Sequence, residues 1–129
     1  MEEECTVYRK ELLNLAIRKM ITAIDVREIT FSPGQITRRH KHPCPVVGYI
    51  VEGAAEMEVE GKSRQALPTG SAFYEPAEAV IARFDNASAT EPMKFVAYYL
   101  LEGEQALIEM LPALQDQAAQ IASSRNSKA

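Results

Sequence analysis

Between Ile21 and Leu101 short hydrophobic runs alternate with Gly and Pro punctuation at Pro33-Gly34, Gly53, Gly61, Pro68-Thr-Gly70, Pro76 and Pro92. Runs so short, bounded so closely, predict the β-strands of a sandwich or barrel. In Ala55-Glu-Met57-Glu-Val59-Glu the alternation has a period of two, which predicts one buried face and a second face of solvated glutamates. Val46 to Val51 and Phe95 to Leu101 are apolar at both parities, the pattern of core strands covered on both sides. Tyr98 and Tyr99 fall on opposite faces of the second run, so one hydroxyl is expected to need an internal partner or a cavity.

The ends follow a different period. Leu12, Leu13, Ala16, Ile17 and Met20 recur at helical spacing, which predicts a helix over residues 9–20, with an extended lead-in as the alternative. Leu107, Leu111, Leu114, Ala118 and Ile121 form an apolar stripe on one helical face. Pro112 interrupts it, so the expectation is a short helix from about Glu104 to Met110 and a second starting at Pro112. The chain thus divides into a lead-in (1–20), a β-barrel (21–101), a helical appendage (102–122) and a disordered tail (123–129).

The 129 residues are enough for one domain and one core. With 47% hydrophobic and 25% charged residues, and no apolar run near the ~20 residues that span a membrane, the composition is that of a soluble protein. A formal net charge of −4 opposes nucleic acid as a partner. The one dense basic stretch, Arg38-Arg39-His40-Lys41, fits either a solvated strand edge or a site for a small anion. Cys5 and Cys44 form no disulfide framework or zinc knuckle, and Glu2-Glu3-Glu4 is unlike the start of a secretory signal, so a reducing cytoplasm is expected.

The candidate chemistry centres on the chain's two histidines, His40 and His42. In a strand, residues two apart share a face, so both imidazoles aim at one point while Arg39 and Lys41 face away. That begins a metal site, but a catalytic site usually has three protein ligands. Glu75 is the nearest spare carboxylate, with backbone bonds beside Pro76 as its alternative role. Cys44 shares the face of His42 if the strand runs straight through Pro43, and is otherwise a buried thiol. Nucleophilic catalysis finds no support, since there is no G-x-S-x-G elbow and no phosphate-binding glycine loop.

Gly34, His40, His42 and Gly53 fall on the glycine, two histidines and final glycine of the pattern G-x5-H-x-H-x(3,4)-E-x6-G. Gly70, Pro76 and, one residue out of step, Asn86 fall on G-x5-P-x-G-x2-H-x3-N. Over residues 21–101 the chain therefore resembles the cupin superfamily of small single-domain barrels. Three positions depart. The first motif's glutamate is replaced by Val46 or Val47, the second motif's histidine by Ile81 or Ala82, and its second glycine by Glu78.

The resemblance implies a double-stranded β-helix or jelly-roll barrel, an extended rather than helical lead-in, and a homodimer. It implies a central pocket lined by His40, His42, Val46 and Ile81, with Tyr49, Tyr98 and Cys44 as further lining candidates. Two functions remain open. In one, the pocket binds a small organic molecule without metal, its standard ligand set having turned apolar. In the other, His40 and His42 hold Fe, Mn, Ni or Zn in a dioxygenase- or isomerase-type enzyme, with Glu75 or water filling the gap.

Overall fold

A computed structural model describes residues 6–112. It contains nine strands and, among the described residues, no helix. They are β1 (Ala23–Phe31), β2 (His40–Lys41), β3 (Val46–Glu52), β4 (Ala55–Val59), β5 (Gln65–Leu67), β6 (Ala72–Glu75), β7 (Ile81–Asn86), β8 (Met93–Leu101) and β9 (Glu109–Met110). Two sheets face each other, in the orders β1-β8-β3-β6 and β5-β4-β7-β2-β9. The β-ladders within them are antiparallel. This is the expected all-β jelly roll.

Alternation builds its interior. Val46 and Ile50 of β3, Ala55 and Met57 of β4, and Phe95, Ala97 and Tyr99 of β8 are buried, while the intervening residues turn outward. Gly53 carries the chain from one sheet into the other at φ +78°, where an added Cβ would lie 2.8 Å from the Pro92 carbonyl oxygen. Only glycine meets both conditions without strain. Asn86 closes the opposite loop by donating from Nδ2 to the carbonyls of Ser32 and Glu91 and accepting the Ser88 amide at Oδ1.

Three expectations change. β3 and β8 are covered on one face only, and Tyr49, Val51 and Tyr98 are exposed on the other. The helix expected over Glu104–Met110 is absent. Those residues bend and then form β9, which pairs with β2 through His40↔Met110 and Lys41↔Glu109. The free edge of β2 offers unpaired backbone groups, and satisfying them outweighs the helical spacing of the leucines. Residues 6–20 form neither helix nor strand, so the helix expected over residues 9–20 is absent. The helix expected beyond Pro112 and the tail lie outside the described residues.

The turn in which Glu78 replaces the motif's glycine is nevertheless formed. Glu78 adopts φ +66°, donates its amide to the His42 carbonyl at 2.8 Å, and meets Lys41 Nζ at 2.9 Å. A left-handed conformation at a non-glycine residue costs on the order of 1–2 kcal/mol, and these contacts help to offset it.

Candidate metal centre and cavity

His40 lies in β2 and His42 immediately follows it, so the two-residue spacing sends both rings inward. They are buried, and their ring centroids are 5.1 Å apart. Glu75 reaches the same point from the end of β6. It too is buried, with Oε1 3.0 Å from His42 Nε2 and Oε2 4.0 Å from His40 Nε2. One ligand atom from each of the three side chains fits within 4.8 Å of the others, an arrangement that could hold a metal ion.

The register shows where the carboxylate comes from. Val46, at the position where the resemblance would put glutamate, pairs directly with Glu75 across β3 and β6. Side chains of directly opposed residues stand ~5 Å apart on one face. Glu75 therefore presents its carboxylate one strand away from Val46, on the same inward face. Val47 faces the other way, and Ile81, one of the two positions where the resemblance would put a third histidine, is fully buried as the cross-strand partner of His40.

Backbone carbonyls set the tautomers. His40 Nδ1 is 2.8 Å from the Arg38 carbonyl oxygen and His42 Nδ1 is 2.6 Å from that of Leu107. A carbonyl only accepts, so each Nδ1 carries the proton and, in the neutral rings, each Nε2 presents a bare lone pair. Both lone pairs face the Glu75 carboxylate. In the neutral ring His42 Nε2 has no proton to give the Glu75 oxygen 3.0 Å away, so Nε2 and Glu75 Oε2 are buried without a hydrogen bond among the described residues, a costly arrangement unless a cation stands between them.

A proton is one such cation. Burial works to lower the basicity of His42, but the adjacent Glu75 and the Leu107 carbonyl outweigh it and leave its pKa raised. His40 is shifted down, chiefly by burial, against the Arg38 carbonyl and Glu75. Of the two imidazoles His42 is therefore the more basic, and it is the one beside Glu75.

Above the centre is a cavity of about 230 Å³. All four phenylalanines of the chain line it, from β1 (Phe31), β6 (Phe73), β7 (Phe84) and β8 (Phe95), with ring centroids 4.9–6.3 Å apart. Gly48 makes room for Phe73, since a Cβ there would overlap the Phe73 ring. Tyr99 lines the cavity 5.8 Å from His42, centroid to centroid. Burial, followed by Glu75, pushes its hydroxyl above the ordinary phenol range, so it remains a donor at neutral pH.

Among the expected lining residues, Val46 is in the wall. Tyr49 and Tyr98 are on the outer face of their sheet, because Val47↔Tyr98 and Tyr49↔Val96 form its outward rows while Glu75, Val46 and Tyr99 form an inward one. Phe95, which shares parity with Tyr99, was the available clue. Cys44 is a buried thiol beside a separate small cavity with Pro43 and Pro45, where the chain bends out of line with His42. Ile81 packs beside His40 without reaching the cavity surface.

The basic stretch also has a structural role. Arg39 clasps Glu60 through Nε and Nη2 at 3.0 and 3.3 Å and donates from Nη1 to the Pro112 carbonyl. Lys41 pairs with Glu78 and, at 4.0 Å, with Glu109. These contacts tie down residues 107–112, a strap that supplies the Leu107 carbonyl to His42 and the Ile108 side chain to the cavity. Sequence reasoning missed this strap, because its leucine spacing reads as helix.

Residues 27–99 match the family model described as Cupin domain. No curated protein matches the chain. Among solved structures it is similar to a cupin-like protein from Thermotoga maritima (TM-score 0.60, 20% identity, 77% of this chain and 72% of that one). It is also similar to a cupin-2 domain protein from Rhodospirillum rubrum (TM-score 0.59, 20% identity, 77% and 63%). A DMSP lyase from Ruegeria pomeroyi gives TM-score 0.59 at 18% identity over 67% of this chain, which spans only 42% of that enzyme. At these identities the structural likeness shows the fold alone.

Proposed function

The chain belongs to the cupin domain family, and from that premise we propose that His40, His42 and Glu75 hold one divalent metal ion at the foot of a cavity that receives a small organic molecule. The observation that carries this reading is the convergence of two buried imidazole lone pairs and a buried carboxylate on one point, with His42 Nε2 and Glu75 Oε2 unpartnered. Two imidazoles and one carboxylate suit Fe, Mn, Ni or Zn and leave coordination positions open for another molecule.

The chain's own residues prepare the site. The Arg38 and Leu107 carbonyls hold the imidazoles in the tautomer that presents Nε2, the orienting role that outer-shell acceptors play for metal-binding histidines. Glu75 contributes negative charge where a cation is favoured. The four phenylalanines keep the cavity apolar, which strengthens electrostatic interactions within it. The Tyr99 ring adds to the same wall beside His42. A bound divalent ion would add Lewis acidity toward an oxygen of the molecule in the cavity.

Elemental analysis of protein purified without chelator or affinity tag tests the reading. Near-stoichiometric metal, lost in His40→Ala, is expected. Preparations that remain empty after incubation with Fe, Mn, Ni and Zn overturn it and leave the metal-free binding pocket, in which a proton between His42 and Glu75 takes the ion's place.

A further inference from the structure

We infer that the cavity accepts a molecule with one aromatic or similarly planar apolar ring and a single acidic hydroxyl of the phenol type, bound through that oxygen as the monoanion. This rests on the metal-site reading above and adds the ligand class. Size, wall chemistry and charge each contribute to it.

The volume is about 230 Å³. A dry apolar cavity of about 150 Å³ binds benzene, so this one holds a single ring with a small substituent and the oxygen that meets the ion. The walls suit such a ring. All four phenylalanines converge here from both sheets in edge-to-face and tilted contacts, the geometry in which aromatic rings attract one another.

Charge narrows the class further. Among the described residues no Lys, Arg or Asp lines the cavity, and Glu75 is the one carboxylate. A sugar, a phosphate or a dicarboxylate would bring several polar oxygens against a wall in which Thr37 and Tyr99 are the hydroxyl-bearing residues, and leave most of those oxygens without donors, a large desolvation penalty. A divalent ion with Glu75 leaves one positive charge in the site. One anionic oxygen neutralises it, whereas a dianion would leave a buried charge uncompensated. A hydrocarbon without the oxygen would fill the space but forgo the ion. The Tyr99 ring adds a further aromatic wall, 5.8 Å from His42 between centroids.

On binding, the O–H bond of the phenol would break, its electron pair would stay on the oxygen as the neutralising charge, and the proton would pass to the buffer. No oxidant or reductant is involved.

The test uses the Zn(II)-loaded chain, titrated calorimetrically with p-cresol, toluene and acetate in two buffers of different ionisation enthalpy. The expected result is that p-cresol binds about tenfold or more tighter than either comparator, a margin set by one charge-assisted contact, and releases about one proton per molecule bound. Removing the metal should reduce p-cresol to the affinity of toluene. Phe84→Leu, or Phe73→Leu should the first fail to fold, should weaken p-cresol while leaving zinc content unchanged. Tighter binding of acetate than of p-cresol, or p-cresol binding with no proton release, overturns the ligand class even when the zinc content is normal. Failure to take up zinc is a separate result, which defeats the metal reading and with it the anionic binding mode.

Discussion

Glu75→Gln probes the cluster as a metal site and as a hydrogen-bond cluster, because it should weaken metal binding yet, in metal-free protein at high pH, add a hydrogen bond. Glutamine keeps the volume and removes the charge that faces two Nε2 lone pairs. Toward a metal the loss is large. Removing one partner of a buried charge pair costs roughly 3–5 kcal/mol, so Kd should rise by about a hundredfold to a few thousandfold. In the metal-free protein the effect depends on pH. His42 has a raised pKa, so its pairing with Glu75 contributes stability that is complete below about pH 6.5 and is lost as pH rises through the raised value. His40 is shifted down, so its contribution is present above about pH 6.5 and is lost as pH falls through the lowered value. Below that pH range the variant should therefore be less stable than wild type. Well above it, the introduced glutamine amide can donate to the bare His42 nitrogen, and the variant should gain roughly 1 kcal/mol from that hydrogen bond. For 129 residues this is about 4 °C in melting temperature. The assays are calorimetric melting of metal-free protein at both pH extremes and competition for Zn(II) with a chromophoric chelator. Metal affinity within about threefold of wild type, or a variant less stable at both extremes, would refute the argument.

The remaining substitutions probe the surroundings. Ile81→His should place a third imidazole opposite His40, given the His40↔Ile81 register, and tighten Zn(II) binding about tenfold or more; unchanged affinity in chelator competition would mean that the new ring does not reach the centre. Gly48→Ala should push the Phe73 ring toward the cavity, destabilise the fold by about 1–3 kcal/mol in denaturant unfolding, and reduce p-cresol binding with zinc content intact. Arg39→Gln should leave the melting temperature nearly unchanged, because Glu60 is solvent-exposed, yet accelerate hydrogen exchange at Leu111, whose amide bonds to the Arg39 carbonyl within the strap. The homodimer that the family resemblance implies is checked by sedimentation equilibrium, with Tyr49, Val51 and Tyr98 the exposed apolar residues that such an interface would cover and a monomer the result that removes it.

Much of the barrel can be read from short-range pattern. Alternation in Ala55–Val59 shows which face is buried, Gly53 marks the passage between sheets, and the His40-x-His42 spacing puts two imidazoles on one face. Each of these depends only on the geometry of a strand or a turn. The same logic failed for Leu107 and Leu111, whose helical spacing lost to the free edge of β2, and for Tyr98, since parity alone does not say which side of a doubly apolar strand is the inside.

The third ligand candidate lay beyond that reach. Compared with the motif, Val46 reads as a lost carboxylate and Glu75 as a stray one. Only pairing between β3 and β6 makes them neighbours, because strand register is set by the packing of the whole sheet rather than by any local run. The sequence by itself determined the barrel and the two histidines. Tertiary structure decided that Glu75 completes a buried three-residue cluster, that the Arg38 and Leu107 carbonyls turn both Nε2 atoms toward it, and that the four phenylalanines enclose the space above. Most of these are contacts between residues far apart along the chain, which it acquires only when its sheets close on each other.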